Sequence, residues 1–151
     1  MKSAIGNRHL AMIEVINRQR RRKINTKQWR AFGEKALQAI GTTRDATIVF
    51  VADEAIKKLN RQFRGKNYAT DVLSFPSEAE AFEVENQKAL GEVVISVQRA
   101  AAQARGNGLS FANEVKQLIL HGLLHLSGYD HETDQGEMNR LELGLRKQLG
   151  I

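Results

Sequence analysis

Residues 121–131 read His-Gly-Leu-Leu-His-Leu-Ser-Gly-Tyr-Asp-His and contain three of the four histidines of the chain. His121 and His125 are four residues apart. A helix turns ~100° per residue, so their side chains point within about 40° of each other. Gly128 predicts the end of this helix, because glycine adopts the left-handed conformation of a helix C-terminus without strain. The following turn brings His131 back towards the same point, so the stretch predicts a metal site with His121, His125 and His131 as ligands.

The ligand set indicates which kind of metal site to expect. Three imidazoles leave one zinc position open, which is typical of catalytic zinc, whereas structural zinc normally has four protein ligands. We therefore expect one Zn²⁺ per chain in a hydrolytic centre. The alternative is that the three histidines are unrelated helix and loop residues. The chain has no cysteine, which excludes disulfides, thiolate zinc sites, iron–sulfur clusters and a cysteine nucleophile.

The residue after the first histidine separates this chain from peptidases. The spacing H-x-x-x-H-x-x-G-x-x-H is the ligand frame of the metzincin metallopeptidases. Those enzymes have a general-base glutamate where this chain has Gly122. Glycine inside a helix costs ~1 kcal/mol relative to alanine, so we expect either close packing against a strand or space for a bulky substrate. The missing glutamate argues against proteolysis.

Other residues near the histidines have two possible roles each. Asp130 could orient a histidine or act as a base, or it could cap a turn. Glu132 and Asp134 are the next carboxylates, and Met138 could lie beneath the metal, although methionine at helical spacing is usually a core residue.

Away from the histidines, hydrophobic periodicity predicts an α+β fold with one mixed β-sheet of about four strands packed with helices. A single domain is expected for residues 1–151, a length that suits one hydrophobic core. The predicted strands are 10–16, 46–52, 71–75 and 91–97. The predicted helices are 26–40 with Thr26 as N-cap, 53–64 with Asp53 as cap, 98–104 broken by Gly106 and Gly108, 111–126 with Ser110 as cap, and 134–149. Residues 77–88 are expected to form an acidic loop.

The positive charge of the chain is concentrated near its N-terminus. The net charge is +6, and residues 18–23 (Arg-Gln-Arg-Arg-Arg-Lys) contain five cations. Such a run suits a phosphate backbone, where each neutralised phosphate releases a counterion, but it is equally compatible with a solvated strand end. The first residues lack the apolar segment of a signal peptide, and we expect a cytoplasmic protein that is not associated with a membrane.

Three segments, the histidine stretch among them, carry a resemblance to a known family. They are Phe-Arg-Gly-Lys followed by Thr-Asp-Val-Leu-Ser-Phe-Pro (63–66 and 70–76), Leu-Gly-Glu-Val-Val-Ile-Ser (90–96), and the histidine stretch 121–131. From about Val51 to the C-terminus, the chain resembles the YbeY family of bacterial endoribonucleases. Two departures are mild: Glu92 stands where many relatives have aspartate, and Asn67-Tyr68-Ala69 is an uncommon filler. The basic run 18–23 lies outside the family motif.

The resemblance implies a zincin-like α+β domain that cleaves single-stranded RNA with one zinc ion. It also implies roles in processing small-subunit rRNA and in ribosome quality control, with rRNA and the ribosome or its small-subunit assembly factors as partners. The family's metal ligands map onto His121, His125 and His131, and its functionally important arginine maps onto Arg64. Two alternatives remain: a zincin-type metallopeptidase, and a non-catalytic ribosome assembly factor with a structural metal. The nucleophile, hydroxide or the RNA 2′-hydroxyl, stays open.

Overall fold

The structure is a computed structural model that describes residues 10–77, 89–129 and 135–151. In these ranges the chain forms four strands and five helices in the order β1–α1–β2–α2–β3–β4–α3–α4–α5. The strands are β1 (Ile13–Asn17), β2 (Asp45–Val51), β3 (Val72–Pro76) and β4 (Ala89–Ser96). The helices are α1 (Thr26–Ile40), α2 (Asp53–Arg64), α3 (Val97–Asn107), α4 (Phe111–Leu126) and α5 (Glu137–Leu149).

The four strands form one mixed sheet in the order β1-β2-β4-β3. β1 runs parallel to β2, and β2 runs parallel to β4, with Ile48 opposite Val93. β3 is antiparallel to β4 and lies at the edge of the sheet. The predicted α+β class with a mixed sheet of about four strands is therefore confirmed.

Side chains alternate between the two faces of a strand, so each face of this sheet has its own hydrophobic cluster. The larger cluster contains Ile48, Phe50, Val93 and Ile95 of the sheet, packed against residues of α1, α3, α4 and α5. The smaller cluster lies on the opposite face, where Val49, Val51, Leu73 and Val94 pack against Ile56 of α2. The sheet therefore lies between a layer of four helices and a single helix.

Several predicted boundaries are wrong by a few residues. β1 begins at Ile13 rather than at residue 10, because its pairing with β2 starts at Ile13 opposite Ala46. Asn25, not Thr26, caps α1: its side chain accepts a hydrogen bond from the amide of Gln28. Asp53 does not cap α2, which has no side-chain cap hydrogen bond.

The α3 helix departs most from its prediction. It continues to Asn107 instead of ending at residue 104, so Gly106 lies within it and only Gly108, with φ +68°, marks its end. α5 begins at Glu137 after Gly136, and the predicted start at residue 134 lies outside the described residues. Of the predicted loop 77–88, residues 78–88 also lie outside them.

Candidate active site

The α4 helix carries both described histidines of the predicted site, and local sequence signals set its ends. The Ser110 side chain accepts a hydrogen bond from the amide of Asn113 at the N-terminus. Leu120, Leu123 and Leu124 of this helix are fully buried in the larger cluster. At the C-terminus Gly128 has φ +104°, a left-handed conformation that favours glycine. The predictions for Ser110 and Gly128 are confirmed.

His121 and His125 face each other across one turn of α4. Their Nε2 atoms are 3.0 Å apart, and their rings meet edge to face with centroids 4.5 Å apart. Two Nε2 atoms bound to one tetrahedral zinc ion, with Zn–N bonds of about 2.0–2.1 Å, would be roughly 3.4 Å apart. The observed separation is close to this value, so the donor type and spacing of the pair fit a shared metal ion.

Gly122, between the two histidines, packs directly on the sheet. A Cβ atom at this position would stand 2.7 Å from Cγ1 of Val93 and 3.1 Å from Oγ of Ser74. Ser74 Oγ also donates a hydrogen bond to the Gly122 carbonyl oxygen at 3.3 Å. Of the two reasons expected for this glycine, the contacts agree with close packing against strands. A glutamate side chain at this position has no room on the sheet side of α4.

A second helix supports the first histidine. Nδ1 of His121 is 3.0 Å from Oε1 of Glu142 on α5, and Oε2 of Glu142 accepts a hydrogen bond of 2.9 Å from Arg146. Glu142 is only 4% exposed. Burial raises the pKa of the Glu142 carboxyl, but the hydrogen bond and charge of His121, and then those of Arg146, outweigh this effect. The pKa is therefore lower than usual, and the group is a carboxylate at neutral pH.

A cavity of about 560 Å³ adjoins His121 on the side of Glu142. Its walls come from the start of β3, from α3, from α4 and from α5. Most of the lining side chains are polar: Asp71, Gln103, Asn107, Glu114, Gln117, His121, Glu142 and Arg146. Glu114 is 4% exposed and accepts a hydrogen bond from Asn107. The cavity offers amide and carboxylate groups for hydrogen bonding beside the histidine pair.

Arg64, the predicted catalytic residue, is the exposed last residue of α2 and does not line this cavity. The helix ends there because Gly65 has φ +68° and its amide donates to the carbonyl oxygen of Arg61. Asn60, which is 2% exposed, donates from its side chain to the Tyr68 carbonyl oxygen at 2.9 Å. The segment after Arg64 is thus held against α2.

Part of the predicted site lies outside the described residues. His131, the third predicted ligand, lies outside them, and so do Asp130, Glu132 and Asp134. Within the described ranges no group of three or more metal-ligating side chains is present. Met138 is fully buried in the larger hydrophobic cluster, as expected of a core residue.

The basic run 18–23 follows β1 and forms an ordered turn around Gln19. Oε1 of Gln19 accepts hydrogen bonds from the amides of Arg21 and Arg22, and Nε2 donates to the Arg22 carbonyl oxygen. Arg21 pairs with Glu54 at 3.2 Å. The guanidinium of Arg22 lies 3.8 Å from the centre of the Phe111 ring. Two of the five cations therefore contact other parts of the protein.

With this geometry established, comparisons with known proteins identify the family. Residues 14–150 match the family model described as endoribonuclease YbeY. The chain belongs to the endoribonuclease YbeY family. It is 48% identical to the endoribonuclease YbeY of Nautilia profundicola, over 73% of this chain and 76% of that protein. It is 36% identical to the one from Geobacter metallireducens, over 92% of this chain and 94% of that protein.

A solved structure has a similar fold. The solution structure of a Thermotoga maritima protein superposes with a TM-score of 0.61 at 28% identity, over 91% of this chain and 89% of that one. The resemblance to YbeY inferred from three sequence segments is confirmed, and so is the predicted enzyme class, an endoribonuclease. None of the helices in the described ranges combines the length and the apolar character that crossing a bilayer requires.

Two residues of this candidate site were missed by the sequence analysis: Glu142 and Arg146. An (i, i+4) Glu–Arg pair on a helix usually indicates an exposed ion pair. The sequence signal that could have identified Glu142 is its position on the helix. Met138, Glu142 and Leu145 share one face of α5, and all three are buried. A carboxylate on the apolar face of a helix requires a buried partner, and that partner is His121.

Proposed function

We propose that this chain is a zinc-dependent endoribonuclease that cleaves single-stranded RNA and acts in rRNA processing in the cytoplasm. Its metal ligands are His121, His125 and His131, in one domain that spans the chain. The observation that carries the proposal is the 3.0 Å separation of the two Nε2 atoms on α4. Zinc, when bound, supplies a Lewis acid and lowers the pKa of water to ~7.

The surroundings of the histidine pair support a role for the chain's own residues in binding RNA. The cavity beside His121 has three carboxylates (Asp71, Glu114 and Glu142) and a single guanidinium, that of Arg146. Negative walls disfavour a phosphate, whereas amides and carboxylates can bind the edges of an unstacked base. We infer that the cavity receives a base, and that the phosphate lies outside its negatively charged walls.

Cations and aromatic rings lie on the other face of the sheet. A groove there is lined by Phe63, Phe75, Arg18 and Lys58, among others. The two phenylalanine rings pack edge to face at 5.3 Å, and Phe63 is 59% exposed. Exposed aromatic rings beside cations are typical of surfaces that bind single-stranded nucleic acid through base stacking and phosphate contacts. This groove supports the preference for single strands.

Arg64 is the residue that we propose stabilises charge during cleavage. Negative charge grows on the phosphoryl oxygens whether water or the RNA 2′-hydroxyl attacks. The planar guanidinium of arginine can donate two parallel hydrogen bonds to those oxygens. The exposed side chain of Arg64, on a backbone fixed by Gly65 and Asn60, is available for that contact.

The peptidase alternative has little support. A metzincin peptidase needs a glutamate after the first ligand, and Gly122 is pressed against Val93. Membership of an endoribonuclease family also disfavours a non-catalytic assembly factor, and the experiment that tests the nuclease tests this alternative too.

The test is cleavage of one RNA in two forms. An end-labelled single strand and the same strand annealed to its complement are incubated with zinc-loaded protein, with and without a chelator. We expect cleavage of the single strand alone, loss of cleavage with the chelator, and no cleavage by the His121→Ala variant. A chelator-resistant activity that survives in His121→Ala would overturn the proposal, and a zinc-loaded protein that cuts neither form would favour the assembly factor.

A further inference from the structure

Within the described residues, the carboxylate of Glu142 on α5 is in hydrogen-bond contact with the histidine pair. It lies 21 residues beyond His121 in the sequence, and its Oε1 is 3.0 Å from His121 Nδ1. A carboxylate has hydrogen-bond acceptors only, so the proton of this bond belongs to Nδ1 of the imidazole. In a neutral imidazole the lone pair is then on Nε2, the atom that faces His125.

Arg146 fixes the carboxylate in turn. Its guanidinium donates to Oε2 of Glu142 at 2.9 Å, so that each carboxylate oxygen has a separate partner. The 4% exposure of Glu142 leaves its side chain little freedom to turn. The three residues form a chain, Arg146–Glu142–His121, that ends at the face of α4 where the two Nε2 atoms meet.

We infer that Glu142, held by Arg146, is a positioning residue that sets the tautomer and ring orientation of His121 for metal binding. The inference rests on the proposed metal site. A carboxylate that accepts a hydrogen bond from the other ring nitrogen of a ligating histidine also makes that histidine a stronger ligand. Loss of such a partner typically weakens metal binding 10- to 100-fold.

The first experiment measures zinc affinity by competition with a chromophoric chelator. We expect Glu142→Ala to weaken zinc binding about 10- to 100-fold. Glu142→Gln should weaken it less, because its amide oxygen still accepts from Nδ1. Arg146→Met should have an intermediate effect through the freed carboxylate. The matched control is Glu114→Gln. Glu114 is as buried as Glu142, but its carboxylate accepts a hydrogen bond from Asn107 instead of from a histidine.

The second experiment records imidazole ¹⁵N shifts on zinc-free protein. We expect His121 of the wild type and of Glu142→Gln to be the Nδ1–H tautomer, and Glu142→Ala to lose that preference. A merely structural role of Glu142 would change stability but not the tautomer. The two experiments together separate the proposed function from the inference about Glu142. A wild-type protein that binds no zinc would overturn the proposed function, whereas the tautomer of His121 would still test the role of Glu142.

Three results would overturn the inference. They are an Nε2–H tautomer of His121 in the wild type, wild-type zinc affinity in Glu142→Ala, and a loss of zinc affinity in the Glu114→Gln control as large as that in Glu142→Gln. If Glu142→Ala does not fold, Glu142→Gln and Arg146→Met decide the question: wild-type affinity in both variants would overturn it.

Discussion

Gly122 and Val93 are in direct contact across the interface between α4 and β4. A Cβ atom added to Gly122 would lie 2.7 Å from Cγ1 and 2.9 Å from Cγ2 of Val93. A 120° rotation of the valine side chain would still leave one methyl group in one of these two close positions, and the side chain is fully buried. The position that carries a catalytic glutamate in metzincins is here a contact between helix and sheet.

The first prediction is that Gly122→Ala lowers the free energy of unfolding. Overpacking costs ~1–3 kcal/mol, which exceeds the ~1 kcal/mol that alanine gains over glycine in a helix. The matched control is Gly144→Ala on α5, where a Cβ atom meets nothing within 4 Å. That variant should raise the free energy of unfolding by up to ~1 kcal/mol.

Urea unfolding of both variants measures this difference. Val93→Ala provides a second check, because it removes both methyl groups, and Gly122→Ala should cease to destabilise the protein in that background. Equal stabilisation by Gly122→Ala and Gly144→Ala would show that the close contact does not exist in solution.

The second prediction concerns metal content. Replacing both His121 and His125 by alanine should abolish stoichiometric zinc, because the two Nε2 donors that face each other are then lost. His9, the fourth histidine of the chain, is outside the predicted ligand set and provides the control. His9→Ala should retain about one zinc per chain by elemental analysis after gel filtration. Zinc retained by the double variant would refute the ligand assignment.

Local signals predicted α4 well, and they failed where the answer depended on distant residues. Ser110 and Gly128 define the ends of α4 through hydrogen bonds and backbone angles within a few residues. The start of β1 depends on where β2 offers a partner, which the β1 sequence does not encode. Gly106 does not end α3, because a helix tolerates one interior glycine at a cost of ~1 kcal/mol.

The candidate site shows the same contrast between features set by nearby residues, which the sequence predicts, and features set by packing, which it does not. The spacing of His121 and His125 follows from helix geometry alone, so the sequence suffices to pair them. The contact between His121 and Glu142 joins two helices, and it depends on how α5 packs against α4. Helical periodicity places Glu142 on the buried face of α5, but only the packing shows which residue it meets.

The third prediction separates RNA binding from stability within the basic run. Arg20 is exposed, whereas Arg22 stacks on Phe111 at 3.8 Å. If the run binds RNA, Arg20→Gln should weaken binding and reduce the slope of log K against log salt by ~0.7, the contribution of one phosphate contact on a single strand. Arg22→Gln should also lower the free energy of unfolding, by ~0.5–1 kcal/mol, through loss of the cation–π contact.

Filter binding of single-stranded RNA at several salt concentrations, together with urea unfolding, checks both parts. Arg21 is less informative, since its ion pair with Glu54 is exposed and contributes little to stability. An unchanged salt slope in Arg20→Gln would mean that Arg20 is solvated and contacts no RNA phosphate.

The last prediction tests Arg64 as the residue that stabilises charge on the phosphoryl oxygens. Loss of one such donor typically costs ~3 kcal/mol of transition-state stabilisation, so Arg64→Ala should lower kcat about 100-fold. Zinc content and the melting temperature should stay at wild-type values, because the side chain is exposed and lies at the end of α2. Arg64→Lys should restore only part of the rate, since an ammonium group cannot donate two parallel hydrogen bonds. Arg61→Ala, in the same last turn and also exposed, is the matched control and should cleave RNA at nearly the wild-type rate. Equal rates for Arg64→Ala and wild type would remove Arg64 from the active site, whichever nucleophile attacks the phosphorus.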